Sequence, residues 1–211
     1  DKYIEIAAEK FNGLRILRQN PWECLISYIC ATYKNISAIK QMLLNLSKKF
    51  GEELALDGYD LHAFPTPEQL ARANISDIRQ CGLGYRAKYV RATAKMVHKT
   101  GFDFDRLRRM PYEKAREELL AFMGVGLKVA DCVMLFSLGK LEAFPVDVWI
   151  RRAVLDHYSR HLSGELVKKL STRKWLTSSS YKRLNLFGRE YFGGYAGYAQ
   201  EYLYHYERAQ P

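Results

Sequence analysis

Apolar and polar positions follow helical spacing along nearly the whole chain. "NPWECLISYICATYKNISAIKQMLLNLSKKFG", residues 20–51, starts at an Asn20-Pro21 turn and carries apolar residues at helical intervals. A polar break at Tyr33–Asn35 divides it into two helices, and Gly51 closes the second. "TPEQLARA" opens another helix, with Thr66 as N-cap, Pro67 at the first position and Glu68 in the first turn. "SDIRQCG" repeats the device with Ser76 as cap and Gly82 just past the end. "YRAKYVRATAKMVHKTG" is a basic amphipathic helix closing at Gly101, and "PYEKAREELLAFMG" and "LKVADCVMLFSLG" form a helix pair joined by a very short turn. Beyond Pro145 the pattern predicts a helix over 148–157, a polar stretch around "STRKWLTSSS" and a last helix over 195–207. No segment shows the convincing alternation of a strand, and none is repeated or of low complexity, so the expected class is all-α.

Composition narrows what such a fold does. With 48% hydrophobic residues in 211, the chain can bury a real core, which excludes wholesale disorder. No run of about 18 uncharged apolar residues exists to span a bilayer. The first residues, "DKYIEIAAEKF", lack the apolar centre of a secretory signal. They also lack an initial Met, which points to processing or to excision from a longer chain. Thirty-three basic residues against 23 acidic ones leave a net charge of +10, the footprint of a nucleic-acid binder. Fifteen tyrosines supply rings that can stack on bases or wedge between them, beside those that simply pack. Cys24, Cys30, Cys81 and Cys132 show neither zinc nor iron–sulfur spacing, and the five His form no metal motif. Reduced thiols and a chemistry without a protein-ligated transition metal are expected.

The short turn carries the chemistry. "MGVGLK" between two apolar helices is a helix-hairpin-helix pattern, in which Gly124 and Gly126 allow close backbone approach. Gly124, Val125 and Gly126 then offer backbone N–H groups, with the positive end of the second helix dipole, to a DNA phosphate. A bare Gly-x-Gly can also be a plain structural turn; the flanking apolar helices and the net charge favour DNA. Lys128 follows in the first helical turn, where the dipole and burial both disfavour a cation and push its pKa down, as an amine nucleophile requires. Cys132 lies one turn on, on the same face. Alone, Lys128 reads better as a side chain reaching solvent or phosphate. Asp147 changes the balance: after Pro145 it is placed to cap the helix from Val148, and a carboxylate held there can stabilise an oxocarbenium-like sugar cation. An amine that forms a Schiff base and a carboxylate beside it are what an N-glycosylase with lyase activity needs.

"GVGLKVADCVMLFSLGKLEAFPVDVWIRR", residues 124–152, closely resembles the helix-hairpin-helix plus Gly/Pro/Asp superfamily of DNA glycosylases, and within it the 8-oxoguanine DNA glycosylase family of the eukaryotic type. "EKFNGLRILRQNPWECLISYICATYKNI", "CGLGYRAKYVRATAKMV" and "GYAGYAQEYLY" resemble further family segments in the same order. The resemblance implies two helical lobes with the hairpin at a DNA-binding cleft: residues 22–136 in one, the hairpin at about 112–138, and residues 1–21 plus 137–211 in the other. It implies Lys128 as Schiff-base nucleophile, Asp147 as acidic partner, and Cys132, Phe136, Gln200 and Tyr204 as the pocket of a flipped purine. Tyr85 and Arg86 match the wedge and the contact to the opposite cytosine. Carbonyls of the turn, such as those of Met123 and Val125, match a site for K⁺, Na⁺ or Ca²⁺; no redox or organic cofactor is implied. The partner implied is double-stranded DNA containing oxidised guanine, met by an intracellular monomer wherever the genome lies, with no membrane involved.

Departures qualify the match. Tyr33-Lys34-Asn35 replaces an Asn-Asn-Asn run, so Tyr33 can act as an aromatic plug beside the estranged cytosine, with Asn35 close to it on the DNA side. Ala38 stands where a second cytosine-reading arginine is expected, and Trp149 replaces a histidine on the DNA-facing side. The family's N-terminal mixed α/β domain is not among these 211 residues, so discrimination against normal guanine is expected to be weaker or to be achieved by other groups. Rival expectations are the same fold acting on another damaged purine, a DNA-binding core with an incomplete pocket, and a hairpin serving protein–protein contact.

Overall fold

The structure, a computed structural model, describes residues 1–210 except Asp57, and Leu56 by its backbone alone. Thirteen α-helices, α1 to α13, one two-stranded hairpin, a π-helical segment (Arg79–Leu83) and two 3-10 turns (Ser159–His161 and Gly193–Tyr195) make up the regular elements among the described residues. In chain order these are α1 (Lys2–Lys10), α2 (Pro21–Ala31), α3 (Ile36–Phe50), β1 (Glu53–Leu56), β2 (Tyr59–His62), α4 (Pro67–Arg72), α5 (Ile75–Ile78) and α6 (Arg86–Thr100). There follow α7 (Phe104–Arg109), α8 (Tyr112–Leu120), α9 (Leu127–Phe136), α10 (Val148–Tyr158), α11 (Gly164–Thr172), α12 (Ser178–Phe192) and α13 (Ala196–Arg208). The all-α expectation holds, and no helix among the described residues is long and apolar enough to cross a membrane.

Local chemistry explains the boundaries. Asn20 caps α2 by accepting from the N–H groups of Trp22 and Glu23, with Pro21 in the first turn. Thr66 and Gln69 cap α4 reciprocally, a full capping box. Gly101 ends α6 in the left-handed conformation, φ 58°. Three expectations need correction. Ser76 lies inside α5; the chain turns at Asn74, whose extended backbone precedes Ile75 without a side-chain cap. Glu53–Leu56 and Tyr59–His62 pair antiparallel, Leu54 opposite Leu61 and Leu56 opposite Tyr59, although no strand is expected there. An Asp-Gly pair between apolar–polar alternations is a hairpin signal, but Leu54, Tyr59 and Leu61 stay exposed, so no buried face reinforces it. Finally, both ends of the expected polar stretch 171–180 are helical, Ser171 and Thr172 closing α11 and Ser178–Ser180 opening α12, and α1 and α7 add helices that the pattern alone leaves unassigned.

The chain forms two compact units, residues 19–129 and residues 1–18 with 130–211. The sequence-based division at 21/22 and 136/137 differs at both points, because the second divide falls inside α9 rather than after it. In the unit 19–129, Leu25, Ile26 and Ile29 of α2, Leu46 of α3, Leu70 of α4, Leu83, Val90 of α6 and Leu119 of α8 are fully or almost fully buried. Trp22 joins this core and donates its indole N–H to the Pro65 carbonyl at 2.8 Å.

In the other unit the core is Val133 and Met134 of α9, Phe144, Ile150 and Val154 of α10, Leu184 of α12 and Leu203 of α13. The start of α13 is pressed against its neighbours: a Cβ on Gly197 would meet Leu135 and lie 3.0 Å from the Leu141 carbonyl. The Gly197 N–H donates to that same carbonyl at 2.7 Å. Glycine is therefore required here by proximity rather than by dihedral angle. Gly197→Ala is expected to lower stability by about 1–3 kcal/mol through overpacking. Chemical denaturation checks this, with the midpoint shifting and the slope unchanged.

Candidate active site

The turn between α8 and α9 is built by local hydrogen bonds, Phe122 N–H to Leu119 carbonyl at 3.2 Å and Val125 N–H to Phe122 carbonyl at 3.1 Å. Gly124 has φ 87°, and a Cβ there would come within 2.9 Å of the Tyr89 side chain on α6. Only glycine meets both demands. Val125 is buried and anchors the turn, while Gly124 and Gly126 are exposed and Met123 is half exposed. Backbone groups at the two glycines thus reach solvent at the head of α9, where free N–H groups and the helix dipole favour an anion.

Lys128 is the second residue of α9 and is half-buried. Its Nζ lies 5.1 Å from the centroid of the Tyr28 ring on α2, so an aromatic face restricts where the amine can point. Tyr28 was not identified from the sequence, since nothing in the α2 pattern separates it from ordinary packing.

Cys132 and Asp131, one turn along α9, are both buried. Asp131 accepts from the Tyr181 hydroxyl at 2.5 Å and from the Asn185 amide at 3.0 Å, both on α12. Asn185 also donates to the Phe144 carbonyl at 2.9 Å, and the Tyr181 hydroxyl accepts from the Val146 N–H at 3.4 Å. Burial first, then the Asp131 charge, holds the Tyr181 phenol well above its ordinary pKa, so it acts as a donor. The network ties α9 and α12 to the segment Phe144–Val146 that leads directly into Asp147. Asp147 in turn caps α10, accepting from the Trp149 and Ile150 N–H groups at 2.9 Å each. Its expected capping role is present, and Trp149 is half-buried in the first turn.

Gln200, Glu201 and Tyr204 share α13. Gln200 is 5% exposed, and its Oε1 has no hydrogen-bond partner. An unmet buried acceptor is costly and is a common mark of a ligand-reading group. Tyr204 is half-buried and its hydroxyl accepts from Arg208 at 2.9 Å; Phe136, at the end of α9, is half-buried as well. Glu201 escaped the sequence reading. Burial, and then the negative charge of Asp147, push its carboxyl up to about 7. This places Glu201 near Asp147 within the unit 1–18 and 130–211, which also holds Cys132, Gln200 and Tyr204.

The residues expected at the opposite strand belong to the unit 19–129. Tyr33 is 77% exposed with φ 54°, the one non-glycine residue with positive φ among those described. Such a conformation is uncommon outside glycine and is often kept where function uses it. Asn35 caps α3, its side chain accepting from Ala38 N–H at 2.8 Å. Arg86 is buried, and its Nε donates to the Thr32 carbonyl at 3.1 Å. Its guanidinium also lies 4.4 Å from the Tyr85 ring, which is half exposed. The structure therefore joins Tyr85 and Arg86 to the Thr32–Tyr33 turn, an association that spacing alone does not reveal. Burial pushes the Cys30 thiol up to about 12 against the opposing Arg86 charge, and all four cysteines are unbridged. A cavity of about 330 Å³ between α1 and the start of α13 contains none of the candidate residues. No cluster of His, Cys, Asp or Glu among the described residues is arranged to hold a metal ion.

Comparison with known proteins identifies relatives. The family described as HhH-GPD superfamily base excision DNA repair protein matches residues 26–175. The N-glycosylase/DNA lyase of Saccharomyces cerevisiae is 37% identical over 91% of this chain and 56% of its own length. The probable N-glycosylase/DNA lyase of Methanothermobacter thermautotrophicus is 34% identical over 89% of this chain and 66% of its own. The crystal structure of the Clostridium acetobutylicum 8-oxoguanine glycosylase/lyase, in complex with double-stranded DNA containing cytosine opposite 8-oxoG, superposes with a TM-score of 0.85 at 35% identity. That match covers 99% of this chain and 66% of the other. This chain thus spans somewhat over half to about two thirds of the length of these relatives.

Two outcomes are expected from this geometry. Asp131→Ala leaves the Tyr181 hydroxyl and the Asn185 amide without their buried acceptor, which costs about 2–5 kcal/mol in denaturant unfolding. For Glu201 the folded pKa is raised, so folding favours its protonated form and stability is lost as pH rises towards about 7. Glu201→Gln removes that loss. Its gain in melting temperature over the parent should be larger at pH 8 than at pH 5, and an equal gain at both would contradict the assignment.

Proposed function

The chain belongs to the HhH-GPD superfamily of base excision DNA repair proteins, and from that premise we propose that it excises 8-oxoguanine from duplex DNA and then nicks the strand. One arrangement carries the reading: Lys128 stands in the first turn of α9, directly after the exposed glycines of the hairpin. The hairpin N–H groups grip a phosphate of the lesion strand without reading a base. The damaged nucleotide leaves the stack, and Gln200, with its unmet Oε1, reads the edge of the base between Cys132 and Tyr204, with Phe136 beside them.

The neutral amine of Lys128 attacks the sugar C1′ as the bond to the base breaks, the base leaving with the bonding pair. Asp147, fixed at the head of α10 by two N–H groups, stabilises the positive charge that develops on the sugar. Loss of the amine proton and ring opening give the imine of Lys128 with C1′. Abstraction of a C2′ proton then expels the 3′ phosphate by β-elimination. Tyr33, Tyr85 and Arg86 occupy the gap and face the widowed base, and Asn35 and Trp149 contribute to the DNA-facing surface. Carbonyls of Met123 and Val125 suit a K⁺, Na⁺ or Ca²⁺ ion beside the phosphate: the Met123 carbonyl accepts one bond, from Thr93 at 3.4 Å, and retains a second lone pair. The chemistry uses no redox or organic cofactor, and the protein acts as a monomer where the genome lies.

The direct test is cleavage of duplexes carrying 8-oxoguanine opposite each of the four bases. The parent chain should excise and nick, Lys128→Gln should do neither while binding the duplex, and Asp147→Asn should slow excision by about a hundredfold or more. With Ala38 in place of a second arginine, activity should extend beyond the cytosine pair. Duplex binding without excision by the parent chain would leave a binding core; excision of a different damaged purine would keep the chemistry and change the substrate.

A further inference from the structure

Between Glu165 and Glu190 the chain carries seven cations and no acidic residue: Lys168, Lys169, Arg173, Lys174, Lys182, Arg183 and Arg189. The loop between α11 and α12 lies in the middle of this run. Arg173 and Lys174 are exposed, Trp175 is 59% exposed, and the Lys174 ammonium lies 5.4 Å from the indole centroid. A large aromatic ring at the surface beside two cations is the composition of a nucleic-acid contact.

The loop is also held in place. Arg151 of α10 donates to the carbonyls of Lys174 at 3.2 Å, Arg173 at 2.5 Å and Leu170. It thereby satisfies the carbonyl end of α11 and turns a polar segment into a defined edge. Arg151 stands one turn from Asp147, with its own N–H bonded to the Asp147 carbonyl at 3.0 Å. The backbone at both cations, immediately before Trp175, is therefore tethered to the end of α10 that carries the acidic residue of the proposed chemistry.

We propose that Arg173, Lys174 and Trp175 form a second DNA contact, gripping the sugar–phosphate backbone of the lesion strand next to the nucleotide processed at Asp147. This rests on the proposed glycosylase reading. The seven-cation run makes the partner a polyanion, and the tether to α10 makes duplex DNA the one that reaches it. Arg173 and Lys174 pair with successive phosphates, and Trp175 packs its ring on the intervening sugar.

The test is equilibrium binding, over a range of salt, of a duplex bearing an uncleavable abasic-site analogue. Neutralising two phosphate contacts should reduce the slope of log affinity against log salt by about 2, because each contributes roughly 0.9. Arg173→Ala/Lys174→Ala should therefore bind about tenfold or more weakly at low salt with the shallower slope. Trp175→Ala should weaken binding with the slope unchanged. The control is Lys2→Ala/Arg15→Ala, which removes the same charge from exposed positions elsewhere. If the loop variant matches that control, the proposal is overturned, whatever other molecule the loop binds. If the parent chain itself shows no salt-dependent duplex binding, the glycosylase reading fails as well, so the two failures are distinguishable.

Discussion

The buried carboxylate of Asp131 is the constraint on which the candidate site depends. A charge with no exposure to water is tolerable only if donors meet it, and Tyr181 and Asn185 of α12 do so. Both donors also bind the backbone of the segment before Asp147, at Phe144 and Val146. One carboxylate on α9 thus sets where the capping carboxylate of Asp147 begins α10. Cys132 is its immediate neighbour in sequence, so the same network fixes the register of a residue proposed for the base pocket. The arrangement is a polar network in a dry core, in which Tyr181 and Asn185 each do two things: they neutralise the cost of burial and they define a position.

The electrostatic setting follows from this placement. Asp147 is committed to two N–H groups at the head of α10, and its charge reaches Glu201, whose proton is held to about pH 7. Gln200, beside Glu201, keeps a buried oxygen without a partner. In the other unit, Lys128 leaves the hairpin under the ring of Tyr28, and Arg86 is drawn to the carbonyl of Thr32, next to the strained backbone of Tyr33. Each unit therefore carries its own preorganised set of groups, assembled from elements far apart in sequence.

Much of this was legible in the chain because the signals are local. Thr66, Pro67 and Gly101 announce helix ends by chemistry that needs no tertiary partner, and the structure shows their caps. The Gly124–Gly126 turn, Lys128 and Asp147 were legible for the same reason: dihedral freedom, dipole and capping act within a few residues. Tyr28, Tyr181 and Asn185 were not, since each acquires its role from a residue dozens of positions away. Asp131 could have been found, because a lone carboxylate inside "LKVADCVMLF" must be paid for by distant donors. The 53–62 hairpin was missed for the opposite reason: its alternation is local, but no buried face gives it weight.

The central claim is that Lys128 is the nucleophile. Borohydride reduction during reaction with a duplex containing 8-oxoguanine, followed by peptide mapping of the cross-linked protein, tests it most directly. The account predicts a covalent adduct on the peptide containing Lys128, formed with damaged duplex and lost in Lys128→Gln. An adduct on another lysine, or excision that proceeds with no trappable imine, would contradict it.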